Sequence, residues 1–339
     1  MRILLIALAG LSFLSNAVLN SSQTPAYKYI RAGNAANATS TPKAGFALMG
    51  GGKDLDEAFR WLCERAAGGD FLVLRAAGDD DYNPYIQKRC PLNSVATLVI
   101  PSRAASSDPF VAQAIAHATA VFIAGGDQSN YINFWMGTPV ESELNRAIRR
   151  GVPIGGTSAG LAVLGEYAYT AQGDKPDDPN LDSKTAMTNP YSPRVTLVKG
   201  FLDIPLLKNV VTDSHFAKRD RMGRLLAFVA RLTAPDGKPT PGPGLKIRGI
   251  GVEEGAAVLV DATGQATVVG HGSSYFLQTR GPVEVLEPGK PLMLRNVDVQ
   301  KVSPAHAFNL VTWKGHAISY TLSVENGVMH STQPGGSIY

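Results

Sequence analysis

Residues 151–163 read GVPIGGTSAGLAV. A short apolar run, Val152-Pro153-Ile154, feeds two glycines; Thr157-Ser158 follows, then Gly160 and apolar residues at helical spacing. The segment Gly156-Thr157-Ser158-Ala159-Gly160 matches G-x-S-x-G, the pattern of a nucleophile elbow. Such a turn passes sharply from strand to helix, so it strains its serine and leaves no room for large neighbours. It presents the hydroxyl at the carboxyl edge of a sheet, beside the N-terminus of the next helix. The backbone N–H of Ala159 and that helix end are then placed to stabilise an oxyanion.

Outward from the elbow, Phe46–Met49, Phe71–Leu74, Thr97–Ile100, Ala120–Ala124 and Val152–Ile154 read as short apolar strands. Gly50-Gly51-Gly52 follows the first and Gly125-Gly126-Asp127-Gln128 the fourth. A helix is expected from Asp54, with Asp54 and Glu57 at capping-box spacing, and another over 139–150. Short apolar strands separated by helices imply strands buried on both sides. The fold class is therefore α/β: a mostly parallel sheet with helices on both faces. After Leu232 a Pro/Gly loop, TAPDGKPTPGPG, leads into a β-rich remainder that runs to Tyr339.

Met1–Ala17 places Arg2 before an apolar core from Ile3 to Leu14, with small residues at Ser15 and Ala17. That is the pattern of a cleaved secretory signal, and it predicts a secreted or periplasmic protein. The apolar core is too short for a membrane span, and no later segment approaches the ~20 apolar residues a span needs. The organisation expected is a signal peptide over 1–17 and a linker or loosely ordered arm over 18–43. A catalytic α/β domain follows over 44–285, then a β-rich C-terminal extension over 286–339.

With 339 residues, 44% of them hydrophobic, the chain can bury a sizeable core and is not disordered. Its formal charge of +4 comes without a dense basic block, which argues against nucleic acid as a partner. Cys63 and Cys90 are its only cysteines. An even count in an exporting context fits a disulfide, and two buried thiols are the alternative. Neither lies in a Cys/His cluster, so no metal is expected, and no cofactor either.

A serine nucleophile needs a base, and the chain offers six histidines. His215 lies where a strand, Val210–Asp213, again passes into a helix, at the sheet edge that carries Ser158. His271, flanked by Gly270 and Gly272, competes with it. Arg219, Arg221 and Arg224 follow His215 on what reads as a helix, with His215 and Arg219 on one face. Three arginines beside a candidate base form a candidate anion site.

Four motifs now fall in one order: Gly125-Gly126-Asp127-Gln128; Gly155–Gly160; Asp213-Ser214-His215-Phe216 with the three arginines; and Gly249-Ile250-Gly251-Val252-Glu253-Glu254. Over roughly 45–280 the chain resembles the cyanophycinases, a family grouped with the dipeptidase E-like serine peptidases on a glutamine-amidotransferase-like fold. The resemblance implies Ser158 as nucleophile, His215 as base, and Gly126 and Ala159 as oxyanion donors. It places Gln128, Asp213, Arg219, Arg221 and Arg224 around a substrate pocket, and it implies a homodimer. The implied substrate is cyanophycin, a polyaspartate with arginine on each β-carboxyl, or a related peptide. Ser214 stands where the family's motif has glutamine.

The acid that orients the histidine has two candidate sources. One is Asp174, with Asp177 and Asp178 behind it, in Gln172–Asp178; the other is Glu254, which closes the fourth motif. Two further readings of the chain remain open. An α/β-hydrolase esterase would use Ser158, an acid such as Asp213, and His271, with Gly50–Gly52 as its oxyanion loop. A catalytically silent secreted binding protein would keep the elbow without its chemistry.

Overall fold

A computed structural model describes residues 26–173, 177–178, 180–234, 246–281 and 283–339. The expected signal segment, Asp174 and most of the Pro/Gly loop lie outside these described residues. The strands of the first half are β1 (Lys28–Gly33), β2 (Gly45–Met49), β3 (Asp70–Arg75), β4 (Ser94–Val99), β5 (Ala120–Ile123) and β6 (Ile154–Thr157). Next come β7 (Tyr167–Tyr169), β8 (Leu197–Lys199), β9 (Val210–Asp213), β10 (Arg248–Val252), β11 (Ala256–Asp261) and β12 (Gln265–Gly270). The last are β13 (Ser274–Thr279), β14 (Val283–Val285), β15 (Met293–Val302), β16 (Ala307–Asn309), β17 (Lys314–Gly315), β18 (Ile318–Glu325) and β19 (Val328–Ser331).

These strands form two sheets. The first runs β1-β4-β3-β5-β6-β2-β11-β12-β16-β17. Its centre, from β4 through β2, is parallel and is the sheet expected from the sequence. Antiparallel strands flank that centre on both sides. The second sheet runs β19-β18-β15-β13-β10-β9-β7-β8, with β14 beside β15, and only the β10–β9 and β9–β7 pairs are parallel. The sequence reading did not foresee this second sheet. Residues 286–339 supply strands to both sheets.

The parallel centre forms because its strands are apolar on both faces and helices cover them. The helix Pro139–Arg149 shows the local logic. Thr138 caps it by accepting the Val140 N–H, and Pro139 begins it where no N–H is needed. Val140, Leu144 and Ala147, one turn apart in succession, face the core. In the second sheet the corresponding helix is Met222–Thr233, whose Leu225, Leu226, Phe228 and Val229 are buried. Burial of each such side chain stabilises the fold by roughly 1.5–3 kcal/mol.

Three local expectations differ from the structure. The 18–43 arm includes β1, which pairs with β4 along its whole length, because Tyr27 and Tyr29 pack on Phe110 and draw the segment in. The helix after β2 begins at Asp56, with no side-chain cap. Asp54 instead accepts a hydrogen bond from Tyr82, so the capping box does not form. The strand before Ser158 starts at Ile154 rather than Val152, because pairing with β2 and β5 takes in Gly155 and Gly156.

The topology fixes where chemistry can sit. β6 ends at Thr157 in the first sheet, while β9 and β10 run parallel in the second, with Asp213 opposite Gly251. The connection Glu253–Gly255 then carries the chain from β10 to β11, out of the second sheet and into the first.

A disulfide joins buried Cys63, on the helix Asp56–Arg65, to buried Cys90 across a separation of 27 residues. In the chain-entropy account, closing a loop of that length stabilises the fold by roughly 3–4 kcal/mol. Oxidised protein should therefore show no thiols after denaturation without reductant. Replacing both cysteines by alanine should lower the unfolding free energy, measured by denaturant titration, by about that amount. Two titratable thiols, or an unchanged midpoint in the variant, would contradict this.

Candidate active site

Ser158 stands at the junction of β6 and a short helix, Ala159–Ala162, with φ 54°. A serine there is strained, and the surrounding close contacts hold it. A Cβ on Gly156 would lie 2.5 Å from the Gly160 carbonyl, and one on Gly160 would lie 2.0 Å from the Ile123 oxygen. The elbow therefore demands glycine on both sides of the serine. The helix that follows, Ala159–Ala162, is a single turn, so a negative group at this junction would meet local N–H groups rather than a long helix's dipole. The Gly125–Gly126 loop runs beside the serine, with a Cβ on Gly125 falling 3.5 Å from the Ser158 Cβ.

Ser158 Oγ lies 2.7 Å from His215 Nε2, and His215 Nδ1 lies 2.7 Å from Glu254 Oε1. A carboxylate can only accept, so Nδ1 carries the ring proton and Nε2 is free to take the hydroxyl's. Lys218 donates to the other oxygen, Glu254 Oε2, at 2.6 Å. That bond, with the His215 bond behind it, holds the Glu254 carboxyl below its ordinary range. His215 is 6% exposed, and burial pushes its pKa below the ordinary 6.5. Arg219 and Arg221 act in the same direction and Glu254 opposes them. The ring therefore stays neutral at neutral pH, ready to accept a proton.

The glycine triplet after β2 holds this pair. Gly50 accepts the His215 N–H at 2.8 Å, and Gly51 lies against the ring, where a Cβ would come within 2.5 Å of Cε1. Gly50–Gly52 therefore packs on the base, a role the sequence reading missed. Lys218 was missed as well. Both signals lay in view, as three glycines at a strand end and a cation three residues past the base.

Asp213 requires a correction. It is 2% exposed, and both of its oxygens are engaged. Arg224 grips them in two-point fashion, Nε to Oδ2 at 2.7 Å and Nη2 to Oδ1 at 2.6 Å, and the Ser214 N–H adds a third bond. Asp213 holds the arginines rather than a ligand. The segment after His215 is not a helix either: the next helix begins at Met222, and His215 (φ 50°) and Asp220 (φ 46°) form a tight turn. Arg221 bonds the Ser214 carbonyl and Asn180, and burial beside Arg224 pushes its pKa down to about 9. Arg219 is exposed.

A cleft of about 550 Å³ opens on Ser158 and is lined by Gly126, Gln128, Ala159, His215 and the three arginines, with Asp127 and Asn133 also in its lining. The structure thus brings together every substrate-pocket candidate except Asp213. Among the other acid candidates, Asp177 is exposed, Asp178 pairs with Arg194, and Asp174 lies outside the described residues. His271 is exposed, and Ser158 is bonded to His215 instead, so the esterase arrangement does not form. Among the described residues no cluster of three His, Cys, Asp or Glu is placed to hold a metal, and no helix is long and apolar enough to cross a membrane.

The mixed α/β fold and a serine–histidine–carboxylate line define a hydrolase-type site. Comparison with known proteins narrows the class. The profile of peptidase family S51 matches residues 79–231, a span that holds Ser158 and His215 and stops short of Glu254. The cyanophycinase of Synechococcus elongatus is 27% identical over 264 residues, covering 74% of this chain and 73% of its own length. The cyanophycinase of Trichormus variabilis is 28% identical over 195 residues, 56% of each chain. A crystal structure of a peptidase from an acI-B1 actinobacterium shares the fold, with a TM-score of 0.51 at 16% identity over 79% of this chain and 98% of its own. The resemblance to the cyanophycinase and dipeptidase E-like peptidases is therefore borne out: the chain is similar to the S51 peptidases over these spans.

Two outcomes follow from the site's geometry. Glu254→Gln should slow reaction at Ser158 by about a hundredfold or more, since it removes the carboxylate that orients the base and balances its charge. Its acid limb should also move to lower pH, because Glu254 is what raises the His215 pKa. A pH–rate profile with wild-type amplitude would contradict the role. Separately, Arg224→Ala should destabilise the fold by about 3–5 kcal/mol by stripping buried Asp213 of its two-point partner and leaving only the longer Arg221 contact as its ion pair. Arg219→Ala should leave the unfolding midpoint where it is; equal midpoints for both variants would contradict the assignment.

Proposed function

We propose that this protein is an exported serine peptidase that hydrolyses cyanophycin or related β-aspartyl-arginine peptides through Ser158, His215 and Glu254. The observation that carries the reading is the line Ser158 Oγ–His215 Nε2 and His215 Nδ1–Glu254, both links 2.7 Å, at the floor of an arginine-walled cleft.

In this mechanism Ser158 Oγ attacks the scissile carbonyl carbon while its proton passes to His215 Nε2. Glu254 offsets the imidazolium charge that forms. The N–H groups of Gly126 and Ala159 receive the negative oxygen. Collapse breaks the C–N bond, and Nε2 hands its proton to the departing amine. A water molecule, deprotonated by the same nitrogen, then attacks the acyl-serine; it releases the acid and restores the hydroxyl.

The electrostatics of the cleft support an anionic substrate group. Arg221 and Arg224 are buried in the lining of the cleft, both in contact with the buried carboxylate of Asp213. Burial, and after it the neighbouring charge of Arg224, imposes a penalty on the Arg221 cation that lowers its pKa to about 9. A substrate carboxylate would relieve it, and a planar guanidinium binds a carboxylate at two points. Asp127, exposed and also in the lining, is the acid among the described lining residues suited to a substrate guanidinium. Export is supported by the Met1–Ala17 pattern and by the Cys63–Cys90 disulfide, since disulfides persist in oxidising compartments.

The test is incubation with cyanophycin, β-aspartyl-arginine peptides and α-aspartyl dipeptides, with the products read by mass. The expected result is β-aspartyl-arginine release, lost in Ser158→Ala and reduced about tenfold in kcat/KM by Arg221→Lys. Cleavage of α-linked peptides alone would overturn the substrate. Activity in Ser158→Ala would overturn the mechanism.

A further inference from the structure

The turn that carries His215 is strained at both ends, with φ 50° at His215 and 46° at Asp220. Such conformations are costly for residues other than glycine and persist only where surrounding contacts fix them. On one side the first sheet's glycine loop and β10 hold it, through His215 N–H to Gly50 and Phe216 N–H to Val252. On the other side stands a residue of the β-rich C-terminal segment.

We propose that Tyr339 is a positioning residue for His215, fastening the far end of its turn; this rests on the Ser158–His215–Glu254 reading. Tyr339 Oη donates to Asp220 Oδ1 and accepts the Met222 N–H, both at 2.9 Å. Met222 begins a helix whose first turn has no side-chain cap at Arg221, so the phenol supplies a missing acceptor. The Tyr339 ring packs edge-on against Phe216, the residue after the base, at 5.9 Å, and against Tyr275 at 5.8 Å. Tyr275 in turn donates to Glu253, the residue before the orienting acid. One aromatic cluster thus touches the chain neighbours of both His215 and Glu254.

Tyr339 is itself anchored. Ser337 Oγ donates to its carbonyl oxygen at 2.8 Å, and Tyr320, on β18, donates to the Ile338 carbonyl at 2.7 Å. The C-terminal strands therefore act as a fixed post for the catalytic turn. Loosening that post would admit water to His215. The charged groups facing the ring are Glu254, held by Lys218, together with Arg219 and Arg221, and none of them changes. Burial is the largest influence lowering the His215 pKa, so its loss moves the pKa up, toward the ordinary 6.5.

The experiment is the rate of Ser158 labelling by a fluorophosphonate across pH 5–8. It uses the full chain and compares wild type with Tyr339→Phe, Tyr339→Ala, Ser158→Ala and His215→Ala. Tyr339→Phe keeps the ring and loses two hydrogen bonds. Its labelling should slow about threefold to tenfold, with an unchanged labelled fraction and a thermal midpoint lowered by no more than a few degrees. Its acid limb should move to higher pH. Tyr339→Ala should extend both effects; should that variant fail to fold, Tyr339→Phe decides alone. Wild-type rates and an unmoved acid limb in Tyr339→Phe would overturn the positioning role. A wild-type protein that does not label at Ser158, or labels equally in His215→Ala, would remove the serine reading and this inference with it.

Discussion

The 2.7 Å contact between Ser158 Oγ and His215 Nε2 crosses from one sheet to the other, and the remainder of the site depends on it. Ser158 belongs to the end of β6, in the parallel centre of the first sheet. His215 belongs to the end of β9, in the second. Neither sheet alone brings a base to the nucleophile, so their relative seating must be held tightly. One connection that passes between the sheets at the site is Glu253–Gly255, from β10 into β11. Glu254 sits on this crossing and bonds the base, while Gly255 donates to the Gly51 carbonyl in the loop that packs on the ring. Acid, base cradle and sheet junction are the same few residues.

Behind the cleft, a second constraint sets its charge. Asp213, Arg221 and Arg224 are buried together, and removing any one would strand a charge where water cannot reach. The arrangement fixes the direction of the His215 turn and places Arg221 and Arg224 in the wall of the cleft. The base, next to that wall, is kept neutral by burial and by its cationic neighbours. Arg221 belongs to both settings: it lines the cleft and, with Arg219, disfavours the charged form of the His215 ring.

The sequence disclosed the nucleophile because an elbow's close contacts exclude all side chains at Gly156 and Gly160, and that exclusion is written as glycine. It disclosed His215 by position, at a strand end on the same edge. The parallel centre was legible from short apolar strands. Other features were not legible, for physical reasons. The choice between Asp174 and Glu254 depends on where β10 leaves one sheet for another, which no local pattern records. The arginine run read as a helix because positive φ at His215 and Asp220 is imposed by tertiary contacts and has no glycine to announce it. Asp213 read as a ligand-binding acid, since its partner Arg224 lies eleven residues on, and only the turn brings the two together. The reach of the C-terminal strands to the catalytic turn through Tyr339 is a contact across 117 residues to Met222, beyond any periodicity.

The most direct test of the central claim is the protonation of the His215 ring itself. Nitrogen NMR on imidazole-labelled protein, with the signal assigned by its loss in a His215→Gln variant, reads which ring nitrogen carries the proton and at what pH the second one binds. The account predicts a proton on Nδ1, facing Glu254, an unprotonated Nε2 facing Ser158 at neutral pH, and a titration midpoint below the ordinary 6.5. A proton on Nε2 with Nδ1 bare, or a midpoint above 6.5, would contradict it.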